Sequence, residues 1–405
     1  MKKSIWIINH HALTPDMSGG TRHYDFAREL VARGYRVTII ASSFHYAKYE
    51  EMRRYPVGQN YLIEQIDGID FVWIQTPPYR GNGLGRVKSM LSFMQQTIQA
   101  VPALDLAKPD IIIGSSVHLF AVYAAYRLSK QYRTPFIMEV RDLWPQTLID
   151  MGISKWHPFI ILLGMVERYL YRRADEIITN LPFAYRYIGQ YVPRDKIRWI
   201  SNGVNLGAFD QAYQQRLDPQ KFNVLYMGTH GLANNLEVLI DAANRLKDEK
   251  RIHFTLIGDG PSKEALIDKS KNLGLDTVTF LSSVPKKEVI HYLKSSDLLY
   301  VGLKNLPLYR FGMSMNKIFD YMGAKKPILF VSAIEDNIVL QAKAGIVIRE
   351  DDIQTIADTI ADFSIMSHEK LDQYGNNGYR YIQKYYTIGV LVDKLEEVFR
   401  KVLGV

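Results

Sequence analysis

The chain has 405 residues, 47% hydrophobic and 23% charged, which describes a globular protein large enough for two cores and excludes a disordered or fibrous one. It has no cysteine, so disulfides, thiolate nucleophiles and zinc–thiolate centres are excluded, and a reducing, cytoplasmic setting is expected. The formal charge of +8 calls for an anionic partner, but no basic run with interleaved aromatics and no nucleic-acid module is present, so nucleic acid is not expected.

The start, Met1 to Asn9, has the cations of a signal peptide, yet its apolar run stops at Asn9-His10-His11 with no cleavage site and reads as a first buried strand. Further strands are predicted at Val37 to Ile40, Phe71 to Ile74, Ile111 to Ile113, Phe136 to Met138 and Glu176 to Ile178. A second series runs through Val224 to Met227, Phe254 to Ile257, Val278 to Phe280, Leu298 to Val301, Ile328 to Phe330 and Ile346 to Ile348. Helical patterns separate these runs, which predicts parallel sheets covered by helices. The polar stretch Gln211 to Asn223 is the best linker, giving two doubly wound domains with a cleft expected at their strand ends.

The loops after these strands carry the chemistry. Gly19-Gly20-Thr21-Arg22 opens a helix after the first strand. His118 follows Ser115-Ser116, and Glu139-Val140-Arg141-Asp142-Leu143-Trp144-Pro145 ends the next strand. Gly228-Thr229-His230-Gly231 and Gly258-Asp259-Gly260-Pro261 follow the first two strands of the second half. None is a G-x-G-x-x-G fingerprint or a Walker loop, which argues against hydride transfer and P-loop chemistry.

The most informative segment is Phe311 to Ala324, where Gly312 leads into a helix carrying Lys317 and Asp320 in its first turns. Backbone N–H groups, a cation and a hydroxyl acceptor together suit a nucleotide diphosphate. A surface helix with both charges in water would read the same way, and a lone histidine such as His118 is more often structural. His10-His11 lacks a third ligand at helical spacing, no H-E-x-x-H occurs, and Glu350-Asp351-Asp352 lacks calcium-loop spacing, so no protein-held metal is expected.

Two helices pair apolar faces with cations. One holds Arg86, Lys88, Met90, Leu91, Phe93, Met94 and Ile98, with Arg80 just ahead of it; the other runs from Phe159 to Arg173 and ends Tyr169, Tyr171, Arg172 and Arg173. Each could lie on an anionic membrane or bury its apolar face in the core. The apolar run Phe159 to Val166 is far short of the roughly 20 residues that cross a bilayer.

Taken together, these segments resemble glycosyltransferase family 4, the retaining nucleotide-sugar transferases of GT-B fold, in which two Rossmann-like domains face a cleft. The resemblance runs almost end to end through Gly19-Gly20, Glu139 to Pro145, Ser201 to Asn205, Tyr226-Met227-Gly228, Ile257 to Pro261 and Asn316 to Met322. The Arg-Asp-Leu-Trp-Pro and Asn-Lys-x-Phe-Asp-Tyr-Met segments look most like the bacterial N-acetyl-L-fucosaminyltransferase branch of surface-polysaccharide enzymes. The resemblance implies an acceptor-side domain over 1–205, completed by a C-terminal helix 386–405, and a donor domain over 206–385.

It also implies roles. Asp320 stands where the family's second glutamate of E-x7-E holds the ribose, and Met315, Asn316 and Lys317 would bind the diphosphate. Ser283 and Val284 would meet the base through main chain, with Gly258 and Asp259 shaping the pocket. Gly19 and Gly20 would approach the phosphates, and Gly228 and His230 lie in the loop that follows the donor domain's first strand. His118 matches a histidine near the transferred sugar, and Arg141 and Asp142 would lie toward the acceptor. The implied substrates are a UDP-sugar and a lipid-linked saccharide, without a metal and at the cytoplasmic membrane face.

Two departures separate the chain from the family. The first glutamate of E-x7-E falls at Gly312, and the Arg and Lys after the donor domain's first strand are replaced by Thr229 or His230 and by Asn234. Phosphate charge must then come from Lys317, with Lys304 or Arg310 in reserve. A nucleotide-sugar epimerase of the same fold and a non-catalytic partner subunit are the alternatives.

Overall fold

Parallel strands buried on both faces need aliphatic residues at every position, and the chain supplies such runs twice. The computed structural model describes residues 3–17, 19–81, 83–116, 118–334 and 337–405. By its own contacts the chain divides into one unit of Met1–Thr14, Gly20–Ser201 and Ile388–Val405, and another of Pro15–Gly19 and Asn202–Thr387.

The first unit's strands are β1 (Ser4–Ile8), β2 (Arg36–Ala41), β3 (Phe44–His45), β4 (Glu50–Glu51), β5 (Tyr61–Ile66), β6 (Ile69–Ile74), β7 (Ile111–Ser115), β8 (Phe136–Val140), β9 (Glu176–Thr179) and β10 (Ile197–Trp199). Among the described residues eight of them form one sheet in the order β10-β9-β8-β7-β1-β2-β6-β5. All pairings are parallel except β5 with β6. The order reverses at β1, which pairs with both β2 and β7, so the loops leaving β1 and β7 meet at a topological switch point. Trp6, Phe71, Trp73, Phe93 and Phe136 fill the core.

The second unit's strands are β11 (Phe222–Met227), β12 (Ile252–Ile257), β13 (Val278–Leu281), β14 (Leu298–Gly302), β15 (Ile328–Val331) and β16 (Gly345–Ile348). They form a parallel sheet in the order β13-β12-β11-β14-β15-β16, again reversing at its first strand. Side chains alternate faces along each strand. Val224 and Tyr226 join one core with Leu239, Ile356 and Phe363, while Leu225 and Met227 join another with Ile318, Phe319 and Met322. The α/β class with two Rossmann-like parallel sheets thus stands as expected.

The stretch read as a linker is tied into the second unit. Gln214 N–H donates to His291 Nδ1 at 3.1 Å and Arg216 N–H to Ser295 Oγ at 3.0 Å. The C-terminal helix Ile388–Leu403 belongs with the first unit, where Arg33 pairs with its Asp393 at 2.6 Å and Glu396 at 2.7 Å. Among the described residues no helix is long and apolar enough to cross a membrane.

One buried charge cluster fixes the strand ends of the first unit. Glu139, in the second-last position of β8, accepts from Arg22 Nε at 2.9 Å and pairs with His23 Nε2 at 2.7 Å, all three being buried. Arg22 also donates to the carbonyls of Ile200, at 2.9 Å, and Ser201. Burial alone would raise the Glu139 carboxyl, but Arg22 and His23 outweigh it and hold the group well below its usual range. Removing one partner should strand a buried charge. Glu139→Leu is expected to lower unfolding free energy by about 3–5 kcal/mol, and Glu139→Leu with Arg22→Met to recover most of that; denaturant melts in which the double variant is the worse would contradict this account.

Candidate functional site

In the second unit the helix Asn316–Gly323 starts at Met315 with no side-chain cap, leaving its first N–H groups to a ligand or to water. Its Lys317 points back onto the end of β11. The ammonium donates to Tyr226 Oη at 2.8 Å and Asn234 Oδ1 at 3.1 Å and lies 4.3 Å from the Tyr226 ring centroid. Burial pushes it down to about 7, and no carboxylate is among the causes that shift it. A Cβ at Gly228 would sit 2.8 Å from Lys317 Nζ, so a side chain there would displace the ammonium from its present seat. Asn234, one of the two departures from the family pattern, therefore holds the cation in place.

The loops after β11 and β12 lock together. His230 N–H donates to Asp259 O at 2.9 Å, and Ser262 N–H to His230 O at 2.9 Å. The His230 ring is enclosed, its nitrogens have no hydrogen-bond partner, and burial lowers it to about 4. Asp259 accepts from Lys263 at 2.8 Å and from Ser283 N–H at 2.9 Å; burial opposes but these bonds prevail, holding it at about 2. Gly258 N–H donates to Leu281 O at 3.1 Å, which sets Gly258, Ser283 and Val284 around one corner.

Asp320 lies on the second turn, paired with Lys286. A ribose hydroxyl arriving there would compete with that lysine. Gly312 ends the turn Pro307–Phe311 at φ 82°, a conformation L side chains rarely adopt. The missing glutamate is thus a matter of backbone as well as of chemistry.

In the first unit the switch point gathers histidines that lie far apart in sequence. His118 Nδ1 caps the helix Leu119–Tyr132 by accepting Ala121 N–H at 3.3 Å, and its Nε2 is 2.8 Å from His10 Nδ1. His118 is wholly buried rather than turned outward. His10 stacks on His11 at 4.3 Å and on Phe93 at 4.4 Å. One nitrogen from each of His10, His11 and His118 lies within 4.8 Å of the others, the third imidazole that helical spacing could not reveal. Burial drives all three well down, His11 to about 3, so they are neutral at physiological pH.

Arg141 and Asp142 follow β8 beside this cluster. Arg141 N–H donates to Ser116 Oγ at 3.0 Å, and Asp142 is exposed. Gly19 has φ 135°, and Gly20 precedes Thr21, whose hydroxyl donates to Asp25 at 2.7 Å. The expected residues thus form two groups: Gly20, His118, Arg141 and Asp142 lie in the first unit, and the others, Gly19 included, in the second.

Residues 19–203 match the family model described as Glycosyl transferase 4-like domain, and residues 210–381 match Glycosyl transferases group 1. The putative colanic acid biosynthesis glycosyl transferase WcaI of Escherichia coli (strain K12) is 25% identical over 300 residues, which are 69% of this chain and 71% of WcaI. Among solved structures, sucrose-phosphate synthase of Thermosynechococcus elongatus superposes with a TM-score of 0.76 at 17% identity, covering 100% of both chains. Anabaena HepE in complex with UDP gives 0.66 at 15% identity, covering 99% of this chain and 100% of HepE. At such identities these two structures speak to the fold alone. With both halves matched in order and the GT-B architecture built from them, the chain belongs to the family 4, group 1 glycosyltransferases.

Proposed function

We propose that this enzyme is a retaining transferase that moves a sugar, an N-acetylated aminosugar, from its UDP form to a lipid-linked saccharide during synthesis of a bacterial surface polysaccharide such as O-antigen, capsule or exopolysaccharide. In this reading residues 206–385 bind the donor, and residues 1–205 with 386–405 take the acceptor. The observation that carries it is Lys317, a desolvated cation beside an uncapped helix start. WcaI, whose name assigns it to colanic acid biosynthesis, and HepE, solved with UDP, support the pathway and the nucleotide.

The glycosyl diphosphate already contains a fair leaving group, so the step needs charge stabilised on it as the anomeric bond breaks. Lys317 and the N–H groups of Asn316 and Lys317 would supply this without a metal. Asp320 would hold the ribose, Ser283 and Val284 the base, and Gly228, Gly258, Asp259 and His230 the walls around them. Attack from the face the phosphate leaves retains configuration, and the departing phosphate oxygen can take the acceptor proton. His118, buried with both ring nitrogens bonded, would serve the transferred sugar only through its bond to His10, with Arg141 and Asp142 toward the acceptor and Gly19 and Gly20 toward the phosphates.

The amphipathic helices differ in how they meet solvent. Leu84–Ala100 buries Met90 and Phe93 in the core, whereas Pro158–Arg173 leaves Ile161, Leu162 and Met165 exposed near Trp156, which is 75% exposed. Lys155, Arg168, Arg172 and Arg173 are exposed around them, while the helix's own carboxylate, Glu167, is buried against Tyr171 and Tyr187. This face suits an anionic leaflet, where a lipid-linked acceptor resides.

Three measurements test this reading. UDP at about 100 times its dissociation constant should stabilise the protein by roughly 2.7 kcal/mol in thermal unfolding, and Asp320→Ala should remove most of that; GDP or ADP acting in its place would change the donor. Because the free Lys317 is near pKa 7 and a diphosphate raises it, binding takes up a proton above pH 7. UDP-sugar affinity should therefore weaken as pH rises from 7 to 9, by up to about tenfold per unit, and lose that slope in Lys317→Met; a flat wild-type profile would remove the role given to Lys317. Leu162→Glu with Met165→Glu should abolish co-sedimentation with phosphatidylglycerol vesicles while leaving UDP binding intact.

A further inference from the structure

Several polar groups at the switch point of the first unit are buried and have nothing to bond. Both ring nitrogens of His11, Arg141 Nε and the Tyr79 hydroxyl are shielded from solvent without a hydrogen-bond partner. Tyr79 is packed against Phe44, with ring centroids 5.1 Å apart, and His11 lies 5.3 Å from Tyr46. Arg86 shares this corner, since its charge acts on His10, His11, His118, Tyr79 and Asp142. A buried polar group left unsatisfied costs free energy, and such groups commonly mark a place where a ligand supplies the missing partner.

The ligand could be a cation on the three imidazoles or an anion on the donors, and the surroundings decide between them. His118 Nδ1 is already occupied by Ala121 N–H, and His118 Nε2 and His10 Nδ1 bond each other, which leaves His11 as the one imidazole free at both nitrogens. Arg86 and Arg141 both act on His11, and two guanidiniums repel a divalent ion. Against these two positive charges stands the exposed Asp142, and the imidazoles add none. An oxyanion with several lone pairs answers Arg141 Nε, the Tyr79 hydroxyl and the one N–H of neutral His11, and a guanidinium fork suits phosphate.

We propose that Tyr79, Arg86, Arg141 and His11 form a second anion site, which binds the phosphate or diphosphate ester of the acceptor. The site deepens the transferase reading and rests on it for the word acceptor, while the anion site itself stands independently. It makes the acceptor's linking phosphate, rather than its sugar alone, a recognised group.

The test is calorimetric titration of the full chain with UDP saturating, using inorganic pyrophosphate, a geranyl-diphosphate-linked N-acetylglucosamine and the neutral methyl N-acetylglucosaminide. Both anions should bind with UDP present, the ester more tightly, and Arg141→Gln should weaken both by about tenfold or more. Tyr79→Phe should give a smaller loss and Arg141→Lys a partial one, with unfolding midpoints and UDP affinity near wild type in each. The neutral glycoside should not register the Arg141 change. Anion binding abolished by UDP would assign it to the donor site and overturn the proposal, as would equal affinity in Arg141→Gln, or stoichiometric Zn2+ binding lost in His11→Ala. Free pyrophosphate binding more tightly than the ester would overturn the assignment to the acceptor. If UDP fails to bind yet pyrophosphate affinity follows Arg141, the transferase reading falls and the anion site stands.

Discussion

The ion pair between Arg22 and Glu139 is the constraint on which the rest of the first unit depends. A charge buried this deeply is tolerated only when its partners are fixed, and here the partners come from three stretches of chain: the helix after β1, the end of β8 and the carbonyls of Ile200 and Ser201. Because Glu139 also binds His23, and His23 lies 3.0 Å from Ser115 Oγ, the end of β7 is drawn into the same network. Asn9 completes it by donating to Ser115 Oγ at 2.9 Å. The loops that carry His10, His118 and Arg141 thus leave a common anchored edge.

The two units solve the same problem with opposite chemistry. Each sheet reverses its strand order beside its first strand, and each reversal gathers loops at the strand ends. In the second unit glycines let a lysine close over the gap, and tyrosine and asparagine side chains hold it. In the first, larger residues fill the space and imidazoles bond one another. One edge presents uncapped backbone N–H groups and a buried ammonium; the other presents a wall of neutral rings bordered by guanidiniums.

Much of this was legible in the sequence because parallel strands buried on both faces must be continuous aliphatic runs, and all twelve expected strands are present. β5 was missed because Tyr61 to Ile66 is only half buried, although Asp67-Gly68 between it and β6, both at positive φ, is a hairpin signal that could have revealed it. Lys317 and the uncapped helix start were readable from Asn316-Lys317-Ile318-Phe319. That Asn234 would hold Lys317, and that His10 would meet His118, was not, since each contact joins residues brought together only by strand order. No local spacing encodes such a meeting.

The bond from Ala121 to His118 has a directional consequence. A backbone N–H can only donate, so His118 Nδ1 must be the acceptor and the ring's proton must sit on Nε2. That proton points at His10 Nδ1, which therefore accepts, and His10 in turn bears its own hydrogen on Nε2. A helix end thereby sets the polarity of two imidazoles in series, and the last ring of the relay can only offer a hydrogen, never a lone pair, to whatever lies beyond it.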